Sequence, residues 1–245
     1  MSDRPIELAY SAPPIIEALA QIYYEEPISD SDLKKAVSRI KKRYANQTKL
    51  KVSSAQLDMV NQGAQFKSMD QYKFSSEDET DIVTIDKHSF TWSKLAPYEG
   101  WQNIYDRIKN ESEDINSVLP YRKANRLGLR YINRIDVPKI DDISRYEDYL
   151  TINISIPECW PSINNYGWRI EREFDKEFIA IVQSAVISPE LPNTGAFLLD
   201  IDIVLGNSVP SKHADILKKF ERMRSLKNEI FELSITDRAR ASFSS

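Results

Sequence analysis

Residues 126–137 read RLGLRYINRIDV, and their alternation constrains the chain more than any other stretch. Leu127, Leu129, Tyr131, Ile135 and Val137 fall on one side of an extended backbone, interrupted by Asn133. Arg126, Arg130, Arg134 and Asp136 fall on the other, together with Gly128 and Ile132. A period of two marks a strand with one buried face. At ~3.3 Å per residue the stretch spans roughly 40 Å, which is long for a strand and places it in the middle of a sheet.

The flanking pattern supplies its neighbours. Residues 15–25 alternate as a first strand. Ser29 or Asp30 caps a helix near 31–45, with Leu33, Ala36, Val37, Ile40 and Tyr44 on one face. Weaker strand character runs over 51–60, and Asn61-Gln62-Gly63 signals a turn. Short strands at 72–76, 82–85 and 90–94 form a meander around the acidic tip SEDETD. A helix at 101–118 carries Trp101, Ile104, Tyr105 and Ile108 on its apolar stripe and stops before Pro120. After the long strand come an irregular stretch at 141–150, a strand at 151–156, and a loop at 157–167 with Cys159, Trp160 and Pro161. Strands at 168–174, 178–187 and 196–205 follow. Ser211 caps a helix at 211–233 striped by Ile216, Leu217, Phe220, Met223 and Ile230, and a short helix reaches Phe243.

Strands in runs joined by turns, rather than in βαβ alternation, predict an α+β fold with mainly antiparallel sheet and helices packed on it. The expectation is one continuous domain over 1–245, with two fused subdomains (about 1–120 and 121–245) as the alternative. Hydrophobic residues at 41% and charged residues at 29% support a packed core rather than disorder. The start, MSDRPIELAY, has no apolar signal region, and no run approaches the ~20 apolar residues that span a bilayer, so a cytoplasmic location is expected.

The chain advertises little chemistry. One cysteine and two histidines, without C-x-x-C or H-E-x-x-H, argue against zinc. No G-x-S-x-G elbow or phosphate-binding glycine loop occurs. Neither a metal nor a cofactor is expected. Asp200 and Asp202 share one strand face and could share a divalent cation. The simpler expectation is structural ion pairing across strands, with Arg130 or Arg134 meeting Asp200 or Asp202 and neutralising its charge.

Charge is uneven. The net charge of −4 gives no bulk attraction to nucleic acid or anionic membrane. Yet Lys34, Lys35, Arg39, Lys41, Lys42 and Arg43 gather in one window without an acid. Such a cluster can contact phosphates, but no aromatic stacking residues are interleaved with it. A solvated helix face is the plainer reading, and an acidic protein partner the preferred functional one, ahead of nucleic acid.

Several segments, PPIIEALAQIYYEE, LAPYEGWQNIYDRI, RLGLRYINRIDVP, AFLLDIDIVLG and SITDRARASF, together resemble a sporadically distributed, uncharacterised bacterial family of about this length. Pro-Tyr-x-Gly-Trp and Gly-Leu-Arg-Tyr-Ile-Asn-Arg-Ile are its most specific parts. The resemblance implies no activity, cofactor or catalytic residue. Its patchy distribution implies accessory loci, such as defence or toxin–antitoxin systems. The functional expectation is therefore a non-catalytic protein-interaction module, partner of a toxin or effector. A small-molecule or nucleic-acid binding protein is the alternative, ahead of an enzyme using Asp and Arg clusters.

Overall fold

A computed structural model describes residues 10–58, 63–140, 143–152 and 165–244. In chain order the elements are β1 (Ile15–Tyr24), α1 (Asp30–Ile40), β2 (Asn46–Asp58), β3 (Gly63–Ser75), β4 (Asp81–Ile85), β5 (Ser89–Leu95) and α2 (Trp101–Val118). They continue with β6 (Ala124–Ile140), β7 (Ile143–Ser144), β8 (Gly167–Phe174), β9 (Phe178–Ile187), β10 (Thr194–Leu205), α3 (His213–Ser234) and α4 (Asp237–Phe243). The fold is α+β. Nine strands follow the order β2-β3-β4-β5-β1-β6-β10-β9-β8, every pairing antiparallel, and β7 adds to the end of β6.

β6 lies between β1 and β10, and its alternation fixes both registers. Leu129 stands opposite Ala20 and Ile203, and Tyr131 opposite Ala18 and Ile201. All six are buried, with Phe197, Leu199, Phe90 and Trp92 on the same sheet face. α2 packs on β5, α1 on α2, and α3 across β6 and β10. The stripe of Ile216, Leu217, Phe220, Met223 and Ile230 is buried in that seam. The opposite sheet face, with Glu17, Leu19, Gln21, Arg126, Arg130 and Ile132, is half-exposed. Mixed burial of this kind suits an antiparallel sheet covered on one side.

Several boundaries differ from the sequence reading. α1 ends at Ile40, and Lys41–Arg43 form a 3-10 turn. Tyr44 is then free to leave the helical stripe and donate its hydroxyl to Glu111 Oε1 at 2.8 Å. β2 and β3 pair from Asn46↔Ser75 to Asp58↔Gly63, a much longer hairpin than expected. Over the side chains described, 46–52, its outer strand is exposed throughout, Leu50 and Val52 included, so that stretch has no buried face to impose an alternation. α1 is capped by Ser29, whose Oγ accepts the Asp32 N–H at 3.2 Å. Lys212, rather than Ser211, occupies the N-cap of α3, without a side-chain cap. The expected strand at 151–156 falls outside the described residues from 153 onward, as do Asn61, Gln62, Cys159, Trp160 and Pro161. Among the described residues no helix is long and apolar enough to cross a membrane.

Candidate functional site

On the half-exposed sheet face, the β6–β10 register sets Asp202 directly opposite Arg130 and Asp200 opposite Ile132. Arg130 nevertheless reaches diagonally to Asp200, with Nε at 2.8 and 3.1 Å from the two carboxylate oxygens. Gln183 donates to the same carboxylate at 2.6 Å. Asp202 faces Arg126 at 3.7 Å, and burial raises its pKa against the opposing pull of Arg126 and Arg130. Arg134 meets neither aspartate. It pairs with Asp136 and Glu190 at 2.9 Å each, because it stands opposite Leu198 and nearer the strand end. Among the described residues no cluster of His, Cys, Asp and Glu is arranged to hold a metal ion.

The basic window of α1 divides in two. Arg39 Nη2 and Arg43 Nε each lie 2.6 Å from the Asp114 carboxylate, pinning α1 and its 3-10 turn to α2. Lys35 pairs with Asp32 at 2.9 Å. Lys34, Lys41 and Lys42 stay exposed and form no salt bridge with a described residue.

The two most specific sequence segments meet elsewhere. β1 and β6 change register between Ile15 and Glu17, a bulge that leaves Asn133 opposite Ile15. Asn133 is 2% exposed, and its Nδ2 donates to the Leu199 carbonyl at 2.9 Å. The β5–α2 loop arrives alongside, turning through a cis Ala96-Pro97 bond and Gly100 at φ +110°, a conformation that favours glycine. Together with the arm at Tyr10–Pro14 and the second half of α3, these pieces enclose a cavity of about 490 Å³. Tyr98, Trp101, Asn133, Lys227, Phe231 and Glu232 line it. Tyr98-Glu99-Gly100-Trp101 supplies one wall, and β6 contributes Asn133. The volume is within the ~300–1,000 Å³ range of small-molecule sites.

Lys227 is the unusual member. It is 7% exposed, and its Nζ has no salt bridge or hydrogen bond with a described residue. Nζ sits 4.0 Å above the centre of the Tyr131 ring and 6.0 Å from that of Phe231. The ring face attracts a cation, but burial disfavours the charge more strongly. Burial, and secondarily Arg224 one turn earlier, bring the Lys227 pKa down to about 7, against a smaller upward pull from Glu232. Glu232 is itself engaged, accepting from the Tyr10 hydroxyl at 2.8 Å and Arg240 Nε at 3.0 Å. Below the lysine, the Tyr131 and Tyr98 hydroxyls are 3.2 Å apart. Burial raises both pKa values, so both phenols stay protonated at neutral pH.

Two further polar groups invite a catalytic reading and fail it on geometry. His213 Nε2 lies 2.6 Å from Ser112 Oγ, but that hydroxyl also donates to the Ile108 carbonyl. With its single proton committed there, Ser112 accepts from the imidazole, and the pair is a clasp between α2 and α3. Glu111 is buried and accepts from Trp92 Nε1 at 2.9 Å and from Tyr44. Burial raises its pKa against Arg107, and it anchors α2 to the sheet.

The sequence reading did not single out Lys227, and it offered a small-molecule site under the C-terminal helix only as an alternative, with no residues attached. The available signal was Asn133 interrupting an apolar face beside a glycine-turned aromatic segment. No protein-family model matches this chain, and no curated protein does. Six chains of solved structures match, among them the di-domain ARO/CYC StfQ from the steffimycin biosynthetic pathway. That match has 10% identity over 94% of this chain and 98% of the other, with a TM-score of 0.17. An overlap that poor carries no argument about fold or chemistry.

Proposed function

We propose that the chain binds a compact organic molecule in the cavity between α3, β6 and the β5–α2 loop. The observation that carries this reading is Lys227, a buried amine without a hydrogen-bonding or ionic partner among the described residues, lining a cavity of ligand size. An amine presented to a cavity without a hydrogen-bonding partner among the described residues is a donor that a ligand in that cavity can engage. Asn133 lines the same space with Oδ1 unclaimed by a described donor. Tyr98 and Trp101 add flat apolar walls with polar tips, the composition of an orienting pocket.

Trp101 supplies the test. Protein purified from its native host should release a low-mass compound on denaturation, identified by mass spectrometry. Adding that compound back should change tryptophan fluorescence saturably, a response that Trp101→Phe should remove and Asn133→Leu should weaken. Release of no compound, together with unchanged fluorescence across extracts of the host's small molecules, would defeat the reading.

A second reading has its own observation. Lys34, Lys41 and Lys42 present exposed charge that no described acid neutralises. The resemblance to a patchily distributed bacterial family supports a protein partner, a toxin or effector, docking on this face in the cytoplasm. Co-purification with neighbouring genes intact tests it, and recovery of the chain alone at low salt would count against it.

A further inference from the structure

We infer that Lys227 is a nucleophilic amine that captures the carbonyl carbon of an aldehyde or ketone ligand as a reversible imine. This rests on the cavity being a ligand site and adds the class of ligand and the bond it forms.

The geometry meets what the chemistry requires. An amine attacks only when neutral, and a lysine becomes neutral near pH 7 when it is desolvated or set beside another cation. Lys227 meets both conditions: it is buried on α3, and Arg224 lies one turn away on the same helix. The groups facing it from other elements are Tyr131 of β6, Tyr98 and Glu99 of the loop, and Tyr10 of the arm. Glu232 follows on α3, held by Tyr10 and by Arg240 of α4, and Glu99 pairs with Lys94 at 3.3 Å. Among the described residues no carboxylate forms a salt bridge with the amine, and Glu232 pulls its pKa upward less than burial lowers it.

The step balances without an external oxidant or reductant. The Nζ lone pair forms a bond to the carbonyl carbon while the carbon–oxygen π pair moves onto oxygen. A proton passes from nitrogen to that oxygen, giving a carbinolamine. The nitrogen lone pair then expels the oxygen, which takes a second proton and leaves as water. The iminium that remains carries the positive charge that the Tyr131 ring face attracts. The Tyr98 hydroxyl, protonated at neutral pH, lines the same cavity and is a donor for the departing oxygen. Addition of water reverses every step.

With its pKa brought down to about 7, Lys227 is neutral at pH 7 far more often than an exposed lysine, of which on the order of one in a thousand is neutral. The full chain is treated with formaldehyde, and separately with benzaldehyde, each with cyanoborohydride at pH 7. Modified peptides are quantified by mass spectrometry over time. Lys227 should react about tenfold or more faster than Lys34, Lys41 and Lys42 with both probes, since the neutral fraction decides the rate. The preference should disappear toward pH 10, where exposed lysines also lose their protons. Lys227→Arg should remove the fast site and leave the slow ones. Reaction at Lys227 no faster than at the exposed lysines, with either probe, overturns the inference. Trp101 fluorescence separates this failure from failure of the ligand site. Saturable binding of the host compound by both wild type and Lys227→Met would keep the cavity as a site and exclude the covalent bond.

Discussion

Replacing Lys227 by Met should stabilise the protein at low pH far more than at high pH. Methionine keeps an unbranched apolar stem and removes the ionisable head. In the folded chain the Lys227 pKa is about 7, against 10.5 when unperturbed. Below pH 7 the amine is protonated in folded and unfolded chains alike, and the folded state bears the full cost of burying the charge. Between about 7 and 10.5 only the unfolded chain retains the proton, so each pH unit favours the folded state by ~1.4 kcal/mol. From pH 7 to 9 the effect is at most about 3 kcal/mol, and relaxation around the charge reduces it to about 1–3 kcal/mol. The variant lacks this slope. Urea unfolding of both proteins, followed by tryptophan fluorescence at pH 6, 7.5 and 9, reads the difference directly. The advantage of Lys227→Met should shrink by about 1–3 kcal/mol between pH 6 and pH 9. An advantage constant to within ~0.5 kcal/mol across that range would show that the amine is not held neutral by the fold.

Other parts of the molecule make independent predictions. Leu129→Ala should cost about 2–5 kcal/mol in urea unfolding, because the side chain is fully enclosed between β1, β10 and α3; a loss under ~0.5 kcal/mol would reverse the assignment of faces. Arg130→Met leaves the buried Asp200 carboxylate to Gln183 alone and should cost about 1–3 kcal/mol, with Asp200→Asn in the same background recovering part of the loss. Reversing Lys34, Lys41 and Lys42 to Glu should leave unfolding within ~0.5 kcal/mol of wild type, while any acidic partner associates more slowly and with weaker salt dependence. Unchanged association would return the helix to a solvated face.

The buried sheet face was legible because β6 and β10 carry it as a long alternation, broken in β6 only at Asn133, and a one-residue slip would expose Leu129 and Ile203 together. The β2–β3 hairpin was read too short because residues 46–52 of its outer strand are all exposed, so that stretch has no buried period to record. The diagonal reach of Arg130 to Asp200, past its direct neighbour Asp202, depends on side-chain length and on Gln183 from a third strand, which spacing within one strand cannot encode. Arg39 and Arg43 belonged to the basic window in sequence but share Asp114 in space, a residue outside that window. Lys227 carried no mark at all. Among the charged residues of α3 it looks like one more solvated lysine, and only the packing of α3 over Tyr131 makes it a buried amine. Asn133 was visible as an interruption, yet its role needed the β1 bulge and the glycine turn beside it.

The place of β1 in the sheet has a consequence for synthesis. It is the earliest strand of the described chain, yet it lies between β5 and β6, joining β2–β5 to the β6–β10 run. A chain emerging from the ribosome presents Ala18, Ala20 and Ile22 before either flanking strand exists, and the second flank is not complete until β6 has been made. β1 therefore waits as an apolar ribbon with both edges open until β5 has emerged, and with one edge open until β6 is complete, more than a hundred residues after β1. β1 is thus enclosed only once β6 has been made, and its waiting time is set by translation speed rather than by the stability of the finished sheet.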